Sequence, residues 1–190
     1  MEDETAGPSP HEKRFHSSRV EKLRSPERLN LLEVQRVTGA ALAGSNIGSV
    51  LDIGTGSGVF AQAFSGQGWT AVGLDASFEM GAYFHSFLPG AAFTTGTAEA
   101  LPFAEGAFKL VFMAHVLHEC DNPLRALQEA RRVAKESCVV LEWPYREERQ
   151  GPPIHHRLKP EQVALLAHKA GFQTTEFLPM EYMVLFRMMC

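Results

Sequence analysis

Short apolar runs alternate with amphipathic segments along most of this 190-residue chain. In the amphipathic segments the apolar residues recur three and four positions apart, which is typical of a helix with one buried face. Strands that alternate with helices predict a parallel sheet covered by helices on both faces. The pattern predicts strands at 50–53, 71–75, 92–95, 108–113 and 137–143, and helices at 59–64, 77–87, 123–133 and 160–170.

The last part of the chain departs from this alternation. Two further strands, at 173–177 and 182–188, are separated only by a short Leu-Pro-Met-Glu link. Such a link permits an antiparallel hairpin, whereas a parallel connection needs a crossover of a dozen residues or more. We therefore expect an α/β fold with a doubly wound sheet of seven strands, mostly parallel, with one antiparallel strand near the C-terminus.

The N-terminal region divides into a polar tail and a helical segment. Residues 1–14 are polar and contain two prolines, which predicts a disordered tail. A helical pattern follows from Phe15 to about Gly44, and Ser25-Pro26 within it has the composition of a helix start. Because the rest of the sequence shows no internal repeat and no sign of a second domain, residues 15–190 are predicted to form a single domain.

Composition and charge exclude several classes of protein. Hydrophobic residues make up 45% and charged residues 21%, the net charge is −4, and the chain has no long run of Lys or Arg. This balance is ordinary for a globular protein and disfavours nucleic acid as a partner. The apolar stretches are broken by glycines and polar residues, so no membrane span is expected. Three scattered cysteines make no disulfide framework, and a cytoplasmic location is the expectation.

Residues 50–58, Val-Leu-Asp-Ile-Gly-Thr-Gly-Ser-Gly, are the most informative stretch. A buried strand that runs into a glycine-rich loop, with a helix behind it, builds a small-molecule site at the carboxyl edge of a parallel sheet. The dinucleotide fingerprint G-x-G-x-x-G requires a third glycine where this chain has Val59. The spacing therefore argues against a nicotinamide enzyme.

An acidic residue follows at the expected distance from this loop. Asp75 stands 23 residues after Asp52, at the end of the second predicted strand. A carboxylate there can accept hydrogen bonds from both hydroxyls of a ribose, or it can cap the next helix. Asp75 thus supports an adenosine-type ligand without choosing between cofactors.

Three segments of the chain resemble motifs of one enzyme family. The pattern D-x-G-x-G-x-G from Asp52 resembles the first motif of the class I methyltransferases that use S-adenosylmethionine. Residues 96–103 resemble the family's G-D-A-x-x-L-P-F segment, with Thr97 in place of the acid, and residues 108–121 resemble its fourth-strand motif. The chain is most similar to the type-11 branch, which includes quinone-biosynthesis methyltransferases. The resemblance runs from about Phe15 to Arg187 and implies a Rossmann-like fold.

The resemblance also implies a cofactor, S-adenosylmethionine, and a set of residues that hold it. In the family the glycine loop lies under the amino-acid part of the cofactor, the first acid helps to hold its ammonium, and the second holds the ribose. An apolar residue packs on the adenine, and backbone at the end of the fourth strand faces the methionine end. The residues expected to bind the cofactor are Asp52, Gly54, Thr55, Gly56, Gly58, Asp75, Ala76, Met80, Thr97, Ala98, Glu99, Ala114 and His115.

Methyl transfer from a sulfonium to a small-molecule acceptor is an in-line displacement, in which the protein mainly positions the reacting groups and excludes water. A general base is needed only if the acceptor must lose a proton. His115 and His118 are the first candidates for that catalytic role, followed by Glu142, Tyr145 and His155. A metal site at His115, His118 and Glu119, with His155 and His156 as further ligands, is disfavoured, because this stretch specifies no ligand geometry.

Other functions stay open at this point. The chain could be a non-catalytic domain that binds S-adenosylmethionine or S-adenosylhomocysteine as a sensor or partner. A nicotinamide enzyme with an unusual loop is the third hypothesis. The motifs specify the cofactor class and leave the acceptor and the oligomeric state open.

Overall fold

The computed structural model describes residues 22–190. Over this range seven strands form a single sheet in the order β3-β2-β1-β4-β5-β7-β6. The strands are β1 (Ser49–Ile53), β2 (Thr70–Asp75), β3 (Ala92–Thr95), β4 (Phe108–Ala114), β5 (Ala134–Glu142), β6 (Thr174–Pro179) and β7 (Val184–Met189).

The strand directions confirm the predicted fold class. Strands β1 to β5 pair in parallel, and β7 lies antiparallel between β5 and β6. The strand order reverses direction between β1 and β4. In doubly wound sheets ligands bind at this switch point, outside the carboxyl ends of the strands.

Within residues 22–190 six α-helices cover both faces of the sheet; the first two precede β1, and the other four connect strands. They are α1 (Pro26–Leu31), α2 (Val34–Leu42), α3 (Val59–Gly66), α4 (Met80–Phe87), α5 (Pro123–Val133) and α6 (Pro160–Ala170). None of the helices in the described part of the chain is long and apolar enough to cross a membrane.

The central strand β4 shows why apolar and polar residues do not alternate along the apolar runs of the sequence. Leu110 and Phe112 face a core shared with α2 and α3, whereas Val111 and Met113 face the core shared with α5 and α6. A strand covered by helices on both faces buries every side chain, so its sequence is continuously apolar. The rings of Phe60 and Phe112 pack 4.8 Å apart on the first of these faces.

From residue 22 on, where the chain is described, the predicted N-terminal helical pattern corresponds to two α-helices. Ser25 caps α1, and its hydroxyl accepts a hydrogen bond from the backbone N–H of Arg28, as the sequence predicts. The chain breaks at Glu33, which has a left-handed backbone with φ of 44°, and α2 begins after it. The predicted tail at 1–14 lies outside the described residues.

Candidate cofactor and active site

A cleft of about 410 Å³ opens at the carboxyl ends of β1, β2 and β4, at the switch point of the sheet. Most of the residues that the sequence predicts for a cofactor line it. These are Gly54, Gly56, Asp75, Ala76, Met80, Thr97, Ala98, Glu99, Ala114 and His115.

The glycine loop after β1 approaches the next loop of the sheet too closely for a side chain. Gly54 has φ of 66°, and a Cβ on it would collide with the side chain of Val116. Gly56 has φ of 52°, and its backbone N–H donates to Oδ2 of Asp75 at 2.9 Å. Glycine is needed here because the backbone itself forms the wall of the cleft.

Asp75 holds the loop in place and still has acceptor capacity. Its Oδ1 accepts a hydrogen bond from the backbone N–H of Ser77 at 2.9 Å, in addition to the bond from Gly56. Burial raises the pKa of Asp75, and the backbone N–H groups partly oppose this. A carboxylate has about four lone-pair sites, so two remain for ligand hydroxyls.

Three predicted residues lie behind the loop rather than in the cleft. Asp52 is buried, and its Oδ2 accepts hydrogen bonds from the Thr55 hydroxyl at 2.7 Å and the Ala61 backbone N–H at 3.1 Å. Gly58 takes the N-cap position of α3. Desolvation by burial, with a small contribution from the charge of Asp75, raises the pKa of Asp52 to about 7. Asp52 thus fixes the start of α3, and with Thr55 it lines only a smaller adjoining cavity of about 60 Å³.

The far wall of the cleft is formed by the segment after β3 and the start of α4. Met80 and Ala98 are almost fully buried and give this wall its apolar surface. Glu99 Oε1 accepts a hydrogen bond from the backbone N–H of Asp121 at 3.1 Å, so its carboxylate is partly occupied. Thr97 lines the cleft as well, in the position that the family motif gives to an acid.

His115 lies at the end of β4, in contact with Arg28 from α1. Arg28 Nη2 is 3.0 Å from His115 Nδ1, and burial followed by the charge of Arg28 lowers the pKa of His115 well below its ordinary value. The histidine is therefore neutral. Because a guanidinium only donates hydrogen bonds, Nδ1 must accept, and the ring proton sits on Nε2.

Two of the residues that line the cleft, Arg28 and His115, each contain a buried donor without a partner in the described part of the chain. Among residues 22–190, neither Arg28 Nε nor His115 Nε2 has a hydrogen-bond partner, although both atoms are buried. Buried polar groups in folded proteins are almost always paired. Two such unpaired donors, one of which belongs to a guanidinium, therefore indicate a place for a negatively charged ligand group.

An indole ring and a buried arginine support His115 from behind. Trp143 packs against the imidazole with ring centroids 4.9 Å apart, and a Cβ on Gly151 would meet its indole at 2.7 Å. The guanidinium of Arg157 donates four hydrogen bonds, to the carbonyls of the 144–152 loop. The loop is thus wrapped tightly around Trp143.

His118, the other predicted catalytic residue, lies below the cleft wall. Its Nδ1 is 2.6 Å from Oε2 of Glu142, and its Nε2 is 3.9 Å from Oε1 of Glu119. Burial alone would lower the pKa of His118, but the carboxylates of Glu142 and Glu119 raise it overall. His118 itself is not among the cleft-lining residues, whereas Glu119 is.

Sequence reasoning did not assign Arg28, Glu119 or Cys120 to the site, although all three line the cleft. In the sequence Arg28 is one of several arginines on a helix, and its position depends on how α1 packs over the sheet. Glu119 follows His118 directly, so the sequence motif after β4 already indicated that this short segment contributes to the site. Only the fold shows which of the two neighbours reaches the cleft.

The doubly wound sheet with β7 antiparallel between β5 and β6, together with the glycine loop after β1, agrees with the class I methyltransferase fold. The family model described as "Methyltransferase domain", of type 11, matches residues 51–141, which run from β1 to the end of β5. Over residues 51–141 the chain matches the type-11 branch of the S-adenosylmethionine-dependent methyltransferases, and S-adenosylmethionine is the cofactor of that family.

Individual relatives agree with this assignment. A crystal structure of an S-adenosylmethionine-dependent methyltransferase from Aquifex aeolicus is 25% identical, with a TM-score of 0.80 over 93% of this chain and 99% of that one. The uncharacterized methyltransferase YcgJ of Bacillus subtilis is 36% identical over 46% of this chain. The demethylmenaquinone methyltransferase of Renibacterium salmoninarum is 35% identical over 45%. The matched segments span only 36% of the length of these two curated relatives.

Proposed function

We propose that this protein transfers the methyl group of S-adenosylmethionine to a small-molecule acceptor by in-line displacement. The observation that carries the proposal is the distribution of polar groups along the cleft. Asp75 lies at the end of β2, and His115 follows the end of β4, with β1 between these strands. Neighbouring strands are about 4.8 Å apart, so the two groups are separated by roughly 10 Å.

That separation suits a ligand with a ribose at one end and an amino-acid group at the other. The carboxylate of Asp75 would accept the ribose hydroxyls, and the unpaired donors of Arg28 and His115 would bind the cofactor's carboxylate. The backbone at Gly54 and Gly56 would lie against the chain that joins them, and Met80 would pack on the adenine. Asp52, Thr55 and Gly58 would act through the shape of the loop that they fix.

When bound, the cofactor supplies a methyl group on a positively charged sulfur. The residues of this chain would align the acceptor with that group and keep water away from it, which are the main protein contributions to a displacement reaction. His115 would serve as a neutral donor, because its Nδ1 is occupied by Arg28. His118 would act from below through its contact with Glu119.

We assign the activity to a single domain at 15–190 and propose a cytoplasmic location. The cysteines support a reducing compartment, since Cys120, Cys138 and Cys190 are all free thiols in the described residues. Cys120 and Cys138 are also buried. A protein of an oxidising compartment more often uses its cysteines in disulfides.

The proposal is tested first by thermal shift with S-adenosylmethionine, S-adenosylhomocysteine and NAD in parallel. A ligand at ~100 times its dissociation constant stabilises a protein by roughly 2.7 kcal/mol. For a domain of this size that corresponds to a rise in Tm of about 5–10 °C. We expect the rise with the first two ligands and none with NAD.

A variant and a transfer assay complete the test. Asp75→Asn should lose most of the rise, whereas Glu105→Gln, on an exposed loop, should keep it. Transfer of a radiolabelled methyl group to a panel of phenols, amines, thiols and carboxylates then measures activity. Binding of the cofactor with no transfer across the panel would favour the non-catalytic sensor, and stabilisation by NAD alone would overturn the assignment of the cofactor.

A further inference from the structure

Three ionisable side chains form a row from the interior of the sheet to the cleft. Glu142 is buried at the end of β5, 2% exposed, and its Oε2 is 2.6 Å from Nδ1 of His118. Its Oε1 also accepts the backbone N–H of His118 at 3.2 Å. On the other side of the ring, Nε2 is 3.9 Å from Oε1 of Glu119.

The outer member of this row is the one exposed to the cleft. Glu119 lines the cleft with Gly54, Asp75 and His115, and its side chain is 30% exposed. The side chains of His118 and Glu142 are 6% and 2% exposed. The short 3-10 helix Leu117–Glu119 holds His118 and Glu119 next to each other, His118 below the wall of the cleft and Glu119 in it.

We propose that Glu119 faces the sulfonium side of the bound cofactor and takes the proton of the acceptor during methyl transfer, with His118 and Glu142 as positioning residues. This inference rests on the proposed function and adds the class of acceptor to it. The acceptor is then a molecule whose attacking oxygen, nitrogen, sulfur or carbon carries a proton that must be lost.

The step balances within the cleft. A bond forms between the acceptor atom and the methyl carbon while the carbon–sulfur bond breaks, and its electron pair remains on sulfur. The acceptor's proton passes to a carboxylate oxygen of Glu119. The positive charge of the sulfonium disappears in the same step, so the charge of the carboxylate is neutralised as its counter-ion is lost.

The groups around Glu119 leave its proton exchangeable at neutral pH. Burial raises the pKa of Glu119 to about 7, and the charges of Glu142 and Asp75 also raise it. His118 and Arg28 act in the opposite direction and lower the pKa of Glu119. A general base works best when its pKa is close to the working pH.

The two forms of the cofactor provide a test that needs no acceptor. S-adenosylmethionine and S-adenosylhomocysteine differ only in the methyl group and the charge on sulfur. If Glu119 faces the sulfur, the sulfonium stabilises its ionised form, and binding of S-adenosylmethionine releases protons that binding of S-adenosylhomocysteine does not. With a pKa of about 7, the excess at pH ~7 is at most about half a proton per site.

Proton release is measured by calorimetric titration of both ligands at neutral pH in two buffers of widely different ionisation enthalpy. We expect the excess release in the wild type and in the control Glu105→Gln, and equal release for the two ligands in Glu119→Gln. Glu119→Gln keeps the shape of the side chain, and the wild-type comparison stands even if that variant fails to fold.

Each other outcome overturns the proposal. Equal release in the wild type means that Glu119 does not face the sulfur, and an excess that persists in Glu119→Gln belongs to another carboxyl group, such as Asp52. Absence of binding by either ligand instead contradicts the proposed function itself. With any acceptor that turns over, Glu119→Gln should also lower kcat by about 10²–10⁴-fold and remove the acid limb of its pH profile.

Discussion

Arg28 donates a hydrogen bond from Nη2 to Nδ1 of His115 across 3.0 Å, and so connects α1 to the end of β4. The bond reaches across 87 positions of sequence and brings a charged helix residue to the edge of the sheet. It fixes the tautomer of His115, because the guanidinium cannot accept a hydrogen bond and Nδ1 must therefore be the acceptor. The wall of the cleft therefore depends on how α1 is docked as well as on the sheet.

Arg28→Ala should weaken binding of both S-adenosylmethionine and S-adenosylhomocysteine, because both contain the carboxylate that we assign to this residue. A hydrogen bond to a charged group contributes about 1.5–3 kcal/mol, so the Kd should rise about 10- to 100-fold. Calorimetric titration measures it. Arg36→Ala is the matched control, since Arg36 is exposed and pairs only with Glu33 among the described residues. An unchanged Kd in Arg28→Ala would mean that the cofactor's carboxylate lies elsewhere.

Glu142→Gln should lower the pKa of His118. In the wild type the carboxylate of Glu142 holds this pKa above its ordinary value against the effect of burial. Without that charge burial dominates, and the titration should shift to lower pH. Nuclear magnetic resonance of histidine labelled with ¹³C and ¹⁵N follows both rings in one sample.

His115 is the internal reference in that experiment. Its pKa lies well below the ordinary value, so it should stay neutral, with its proton on Nε2, across the neutral range in both proteins. A His118 titration that does not move in Glu142→Gln would show that the 2.6 Å contact carries little charge interaction.

The sequence predicts the scaffold of the site better than its electrostatics. The strand at 92–95 is observed as β3 with the same bounds, and Asp75 lies at the end of β2 as expected, because strand ends follow from local pattern. Arg28 and Glu119 could not be assigned in this way. Their place in the cleft depends on the packing of α1 and on the turn after His115, whose backbone is left-handed with φ of 60°.

Asp52→Asn should make the stability of the fold less dependent on pH. Burial raises the pKa of Asp52 in the folded state to about 7, above its value in the unfolded chain. Between about pH 4 and pH 7 the folded protein therefore holds a proton that the unfolded chain has lost, so the free energy of unfolding falls as the pH rises. Asparagine does not titrate, and its oxygen can still accept the bonds from Thr55 and Ala61.

Urea unfolding at about pH 5 and about pH 8 measures this dependence. Glu119, whose pKa is also raised to about 7, contributes in the same direction, so the wild type should lose the most stability over this interval. Asp52→Asn should lose less, and the double variant with Glu119→Gln should lose least. Equal losses in the wild type and Asp52→Asn would contradict the raised pKa.

Arg157→Ala should release the loop that wraps Trp143. The guanidinium donates to four backbone carbonyls at 2.7–3.0 Å, and its residue is only 5% exposed. The freed carbonyls can reach water in the opened loop, so the loss should be roughly 2–3 kcal/mol of unfolding free energy rather than the full sum of the bonds.

Trypsin should then cleave after Arg149 faster than in the wild type. A substitution of Arg149 would remove the cleavage site itself, so the control is Arg125→Ala, a substitution of an exposed arginine on α5. If the loop resists trypsin equally in Arg157→Ala and Arg125→Ala, then the packing of Gly151 on Trp143, and not the arginine, holds it closed.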